Sequence, residues 1–241
     1  MGNIKLPGDI DPQKWDGFHD LICIDEIARC GYLGVVWALG CGDSIGCPPV
    51  VNFGSDAQKK AWLPSVINGE SRFCLGVTEV DGKLLMKRTT DQFSMLLLTQ
   101  IAGSDVANIS TTAERRGNVY IVNGAKKWIT NGMWATHCTA AVRTGLPGKN
   151  GISALVIPLN SKGVSRRKIL NSGVAASGNL NSSSFRFQMA NYIGSTYLEF
   201  DDVEVPVSNL LGEENKGFKI IMSSQLSSPK KLIYFANNLR L

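Results

Sequence analysis

From residue 73 to residue 203 the chain keeps returning to one pattern: a short apolar, β-branched run, then a break at Gly, Pro or Asn. Runs of this length, so closely punctuated, are strands joined by turns rather than helices. They fall at 73–78, 119–122, 126–130, 139–143, 152–157, 164–169 and 197–203. The pair Asn123-Gly124 separates two of them, and both residues tolerate the positive φ that a tight hairpin turn demands, so a hairpin is expected there. Strands at this spacing predict a small antiparallel barrel or sandwich.

The flanks read differently. Asp11-Pro12 has the form of a helix N-cap followed by proline, and Phe18, Leu21, Ile22, Ile24, Ile27 and Ala28 fall mostly on one helical face before Gly31. A second helix is expected over 35–39, and Ser55 with Gln58 forms a capping box for a third, which Pro64 should end or kink. Helical texture returns at 215–222. The fold class is therefore α+β and multi-domain: a partial N-terminal helical domain at 1–71, a middle antiparallel β-barrel domain at 72–206, and the start of a C-terminal helical domain at 207–241. Segments 82–101 and 179–194 lack the alternation and turn chemistry of their surroundings.

Hydrophobic residues at 44% and charged residues at 19% describe a chain with a real core. The net charge of +5 is spread without a basic stripe, so neither nucleic acid nor a membrane surface is implied. No apolar run approaches the ~20 residues that span a bilayer. The N-terminus has no secretory segment, so an intracellular protein with reduced, mostly buried thiols is expected. The six cysteines include no CxxC pair, which excludes the common zinc and iron–sulfur spacings.

Several tempting motifs fail on context. The loop from Gly40 to Gly46 is spaced GxGxxxG, follows helix-like sequence and runs into Pro48-Pro49, so it reads as a connection rather than a dinucleotide fingerprint. Neither a P-loop nor a GxSxG elbow occurs. His19 and His137 have no partners that would mark them as catalytic, and Glu79 and Asp105 read as capping and turn residues.

Five words in order carry more. They are Leu75-Gly76-Val77-Thr78-Glu79, Ala102-Gly103-Ser104-Asp105, Asn123-Gly124-Ala125-Lys126-Lys127-Trp128-Ile129-Thr130-Asn131-Gly132, Phe200-Asp201-Asp202-Val203-Glu204-Val205-Pro206, and Asn209-Leu210-Leu211-Gly212-Glu213 running on to Phe218. Together they resemble the acyl-CoA dehydrogenase family. Excising 82–101 brings Thr78-Glu79-Val80-Asp81 against Ala102-Gly103-Ser104-Asp105, close to that family's TEPxAGSD pattern with Val80 in place of proline. Both ill-fitting segments then read as non-native inserts.

The resemblance implies FAD as cofactor and an acyl-CoA thioester as substrate, oxidised to the trans-2-enoyl product. It assigns Leu75, Val77, Thr78, Trp128, Ile129 and Thr130 to the cofactor and Gly103 and Ser104 to the substrate's pantetheine arm. Lys127 and Arg143 are cationic candidates for a phosphate. No metal is implied and no catalytic residue is assigned, because the family's glutamate base belongs to a C-terminal helical domain outside these words. Weak flavin affinity, negligible turnover and no family-type homo-oligomer are accordingly expected of the chain as written. An oxidase or monooxygenase of the same superfamily stays open. So does an interaction module that docks a partner through 93–98, and the electron acceptor is unassigned.

Overall fold

The computed structural model describes residues 10, 11, 14–29, 31, 41–79, 105–169 and 195–225. The helix expected over 35–39, both ill-fitting segments, Cys30, Gly103 and Ser104 lie outside them.

Helix α1 is Gly17–Ala28, and its N-cap is Asp16 rather than Asp11. The Asp16 carboxylate accepts from the amides of Phe18 and His19, and the His19 ring in turn accepts from the Asp16 amide, which fixes the start there. Two short helices follow, α2 (Asp43–Gly46) and α3 (Pro48–Phe53). Then α4 (Asp56–Ile67) opens on the expected Ser55–Gln58 capping box. Pro64 does not stop it: the proline is exposed, so the carbonyl it leaves unbonded can meet water, while Leu63 and Val66 on either side are buried.

Among the described residues eight strands form one sheet: β1 (Phe73–Gly76), β2 (Thr112–Arg116), β3 (Val119–Thr130), β4 (His137–Arg143), β5 (Ile152–Pro158), β6 (Val164–Ile169), β7 (Ser195–Pro206) and β8 (Leu210–Leu211). The order is β6-β7-β3-β2-β4-β5-β8, with β1 paired to β4. Helix α5 (Gly217–Gln225) follows.

Three expectations are corrected. The sheet is open: β6 and β8 end the order, and no pairing joins them among the described residues. The two-residue β8 cannot extend the ladder, because the Leu210 and Ser208 carbonyls are taken by the Gln58 side chain at 2.8 and 2.7 Å. Nor is the sheet all antiparallel, since β1 and β2 both run parallel to β4. The hairpin turn is Gly117-Asn118, between β2 and β3, and Asn123-Gly124 lies inside the continuous strand β3. There the pair makes a β-bulge against β7. The Asn123 amide nitrogen donates to the Asp202 carboxylate, and its oxygen accepts from the Asp202 amide, both at 2.8 Å. Gly124, at φ 143°, has no room for a Cβ, which would fall 2.7 Å from Thr111 Cα.

Alternation on β4 and β5 feeds two cores. Cys138, Ala140, Val142, Leu155 and Ile157 face an inner cluster with Tyr120, Val122, Leu198 and Phe200. Ala141, Ile152, Ala154 and Val156 face the helices, packing with Val50, Leu63, Val66, Ile220 and Ile221. Both faces are covered, which is why these two strands read as continuous apolar runs. Cys47, Cys74 and Cys138 are buried, Cys23 and Cys41 half-buried, and all five are free thiols.

Candidate functional site

Three of the predicted site residues, Thr78, Trp128 and Thr130, lie where the segment after β1 meets β3. The Thr78 carbonyl accepts from the Lys127 amide at 2.8 Å, which places Thr78 one residue from Trp128 and three from Thr130. Trp128 occupies a second β3/β7 irregularity, between Lys126 and Ile129, with a φ of 62° that a large side chain rarely adopts. The kink turns the indole outward, 48% exposed, between the buried Lys126 and Ile129. Lys127 Nζ sits 4.9 Å from the indole centroid. Thr78 and Thr130 are both half-buried at the edge of this seam.

The other three assigned residues turn away. Leu75 and Val77 pack into the helix-side core and Ile129 into the inner core, so they offer the seam main-chain atoms rather than side chains.

Sequence reasoning missed the feature that ties the seam together. Lys126, fully buried, donates to Glu79 Oε1 at 2.8 Å and to the Val77 carbonyl at 3.2 Å. The Glu79 carboxylate also accepts from the Ser110 amide (2.5 Å) and hydroxyl (2.7 Å) and from the Thr111 amide (2.9 Å). Burial by itself would raise the Glu79 pKa. The Lys126 ammonium and the Thr111 and Ser110 donors outweigh it and hold Glu79 at about 2. Burial draws the Lys126 pKa below its ordinary value even against the pull of Glu79. A capping carboxylate was expected, and it does cap two amides, but the buried partner 47 residues away left no local signal.

The turn after Thr130 is equally fixed. The Arg166 guanidinium donates to the Met133, Ala135 and Leu159 carbonyls at 3.1, 3.0 and 2.5 Å, and the Met133 amide donates to Thr196 Oγ1 at 3.0 Å. Asn131 Nδ2 reaches back to the Cys41 carbonyl at 2.8 Å. The glycine loop is therefore a packing element. A Cβ on Gly46 would fall 2.8 Å from the Cys74 backbone, and Thr139 donates to the Gly46 carbonyl at 2.7 Å.

In the same loop Asp43 accepts from the Phe73 amide at 2.5 Å. Burial raises its pKa from 3.8 to about 6 despite that bond. A raised carboxyl contributes stability that is complete below 3.8 and lost as the pH climbs through about 6. Asp43→Asn, which keeps the acceptor without the charge, should accordingly stabilise the protein by about 2 kcal/mol at pH 7. The gain should vanish by pH 4, and denaturant titrations at the two pH values measure it.

Arg143 is no phosphate ligand. Its guanidinium is consumed by the Ile109, Leu146, Gly148 and Ala107 carbonyls at 3.0, 2.8, 3.2 and 2.8 Å, bracing two loops. Asp105 is the expected turn residue, its carbonyl accepting from the Asn108 amide at 3.0 Å. Among the described residues no cluster of three His, Cys, Asp or Glu side chains could hold a metal, and no helix is long and apolar enough to cross a membrane.

Comparison with known proteins gives two family matches: "Acyl-CoA dehydrogenase, N-terminal domain" over residues 2–70 and "Acyl-CoA dehydrogenase, middle domain" over 94–188. Acyl-CoA dehydrogenase AFT10-1 of Alternaria alternata is 51% identical over 224 residues, covering 93% of this chain and 44% of the relative. Mitochondrial isovaleryl-CoA dehydrogenase of Pongo abelii is 30% identical, covering 92% of this chain and 46% of the relative. Butyryl-CoA dehydrogenase from Megasphaera elsdenii superposes with a TM-score of 0.65 at 27% identity, over 85% of this chain and 44% of that one. The chain thus spans somewhat under half the length of these relatives.

Proposed function

This chain belongs to the acyl-CoA dehydrogenase family, and we propose that it serves the flavin-dependent oxidation of an acyl-CoA thioester to its trans-2-enoyl product. The observation that carries the reading is the exposed Trp128 at a positive φ, one residue from the bond that joins Lys127 to the Thr78 carbonyl. An indole held outward in this way costs conformational strain and forgoes burial, and a planar ring laid on it would restore the burial.

The residues present fit FAD. Thr78 and Thr130 would each supply a hydroxyl to the flavin ring, and Trp128 would form the apolar wall that keeps water from its reacting edge. When bound, the cofactor supplies the acceptor for the hydride that leaves the β-carbon of the acyl chain. Gly103 and Ser104 are assigned to the pantetheine arm. Glu79, the carboxylate next to Thr78, does not serve as proton acceptor, because its oxygens are already bonded and its pKa is held at about 2.

Titrating the chain with FAD, followed by flavin absorbance and tryptophan fluorescence, tests the reading. Saturable binding that quenches Trp128 is expected. Thr78→Val should weaken it about ten-fold through loss of one hydrogen bond. Trp128→Ala should weaken it further through loss of aromatic contact. No saturable binding, or variants that bind as the parent does, would overturn it.

A further inference from the structure

We infer that Glu79 and Lys126 are positioning residues for Thr78, a two-charge clamp that sets the chain on both sides of the hydroxyl assigned to the cofactor. The inference rests on the flavin reading and goes beyond it, since neither charged group reaches the seam's surface.

The geometry is specific. Three consecutive residues just after β1 are bound to two consecutive residues of β3: Val77 through its carbonyl to Lys126 Nζ, Thr78 through its carbonyl to the Lys127 amide, and Glu79 through its carboxylate to Lys126 Nζ again. Thr78 is thus flanked by two groups that share one ammonium. The other side of Glu79 is tied to Ser110 and Thr111, immediately before β2, so the clamp joins the segment after β1, strand β3 and the approach to β2. Lys126 and Glu79 side chains are 0% and 2% exposed. Ion pairs so deeply buried rarely add net stability over apolar residues of similar volume. A charged pair here therefore does something an apolar pair would not, and what it does geometrically is fix the orientation of the peptide units around Thr78. Gly76, just before the clamp, admits no Cβ, which would fall 2.6 Å from Cys138 Sγ, so the strand enters it without slack.

The test compares the parent with Glu79→Gln/Lys126→Met, which keeps volume and leaves no unpaired charge. Hydrogen exchange reads the clamp without any cofactor. The Lys127 amide, donor to Thr78, should exchange at least about ten-fold faster in the double variant, while amides of β4 and β5 keep their protection. Unchanged protection at Lys127, or uniform loss across the sheet, overturns the inference. FAD titration then reads the consequence. The double variant should raise the FAD Kd about ten-fold with Thr78 present, but by less than about two-fold in a Thr78→Val background, because residues acting through one group are not additive. Equal losses in both backgrounds mean the pair supports the fold at large, and overturn the inference. Failure of the parent itself to bind FAD would instead overturn the flavin reading and the inference with it.

Discussion

Lys126→Met by itself should lower the stability of the protein by about 3–5 kcal/mol, because it leaves the Glu79 carboxylate buried without a counter-charge. In a chain of this size that is a fall in Tm of roughly 10 °C, readable by calorimetry. The carboxylate keeps its three bonds from Ser110 and Thr111, so the loss is electrostatic rather than a collapse of the hydrogen-bond network. Two outcomes follow from that cause. Adding Glu79→Gln to Lys126→Met should recover most of the loss, whereas a packing defect would persist. In the parent, the depressed Glu79 contributes stability that is complete above its ordinary value of 4.5 and lost as the pH falls toward about 2. In Lys126→Met the acid limb should reverse sign, stability rising as the pH drops and the stranded carboxylate takes a proton. A Lys126→Met protein with the parent's acid profile would show that the pair carries no such energy.

How legible these features were depends on where their causes lie. Strands β4, β5 and β6 were readable because their pattern is local: β4 and β5 bury both faces, and β6 alternates beside β7. Strand β2 gave no signal, since in Thr112–Arg116 only Ala113 is buried and the sequence looks like a charged loop. Asn123-Gly124 misled because turn chemistry is also bulge chemistry. What decides between them is Asp202, 79 residues on, whose side chain and amide complete the bulge. The openness of the sheet was equally hidden, being settled by Gln58 on a helix taking the carbonyls of Leu210 in β8 and of Ser208 just before it. At the candidate site the words containing Thr78, Trp128 and Thr130 were legible, and the bond between Thr78 and Lys127 joins them in space. The Glu79–Lys126 pair was not, because a lysine and a glutamate far apart in sequence look like any two surface charges until burial is known.

Phe73→Ala is the second substitution with a large expected effect, a loss of about 3–5 kcal/mol from a fully buried aromatic. Phe73 is 0% exposed at the head of β1, where the helical layer meets the sheet. Its ring stacks on His137 with centroids 4.9 Å apart and meets Trp62 of α4 edge-on at 6.3 Å. Truncation therefore opens a cavity between two elements rather than within one, and α4 should lose hydrogen-exchange protection before β4 does. The same contact governs a pH response. Burial lowers the His137 pKa from 6.5, so the folded state prefers the neutral imidazole, and the stability it contributes above 6.5 is lost as the pH falls through the lowered value. Removing the ring that covers His137 lets water reach the imidazolium. Phe73→Ala should then be less stable than the parent at pH 7.5 yet lose less on acidification to pH 5.5. Parallel denaturation curves for the two proteins across that interval would show that His137 is held neutral by something other than the Phe73 stack.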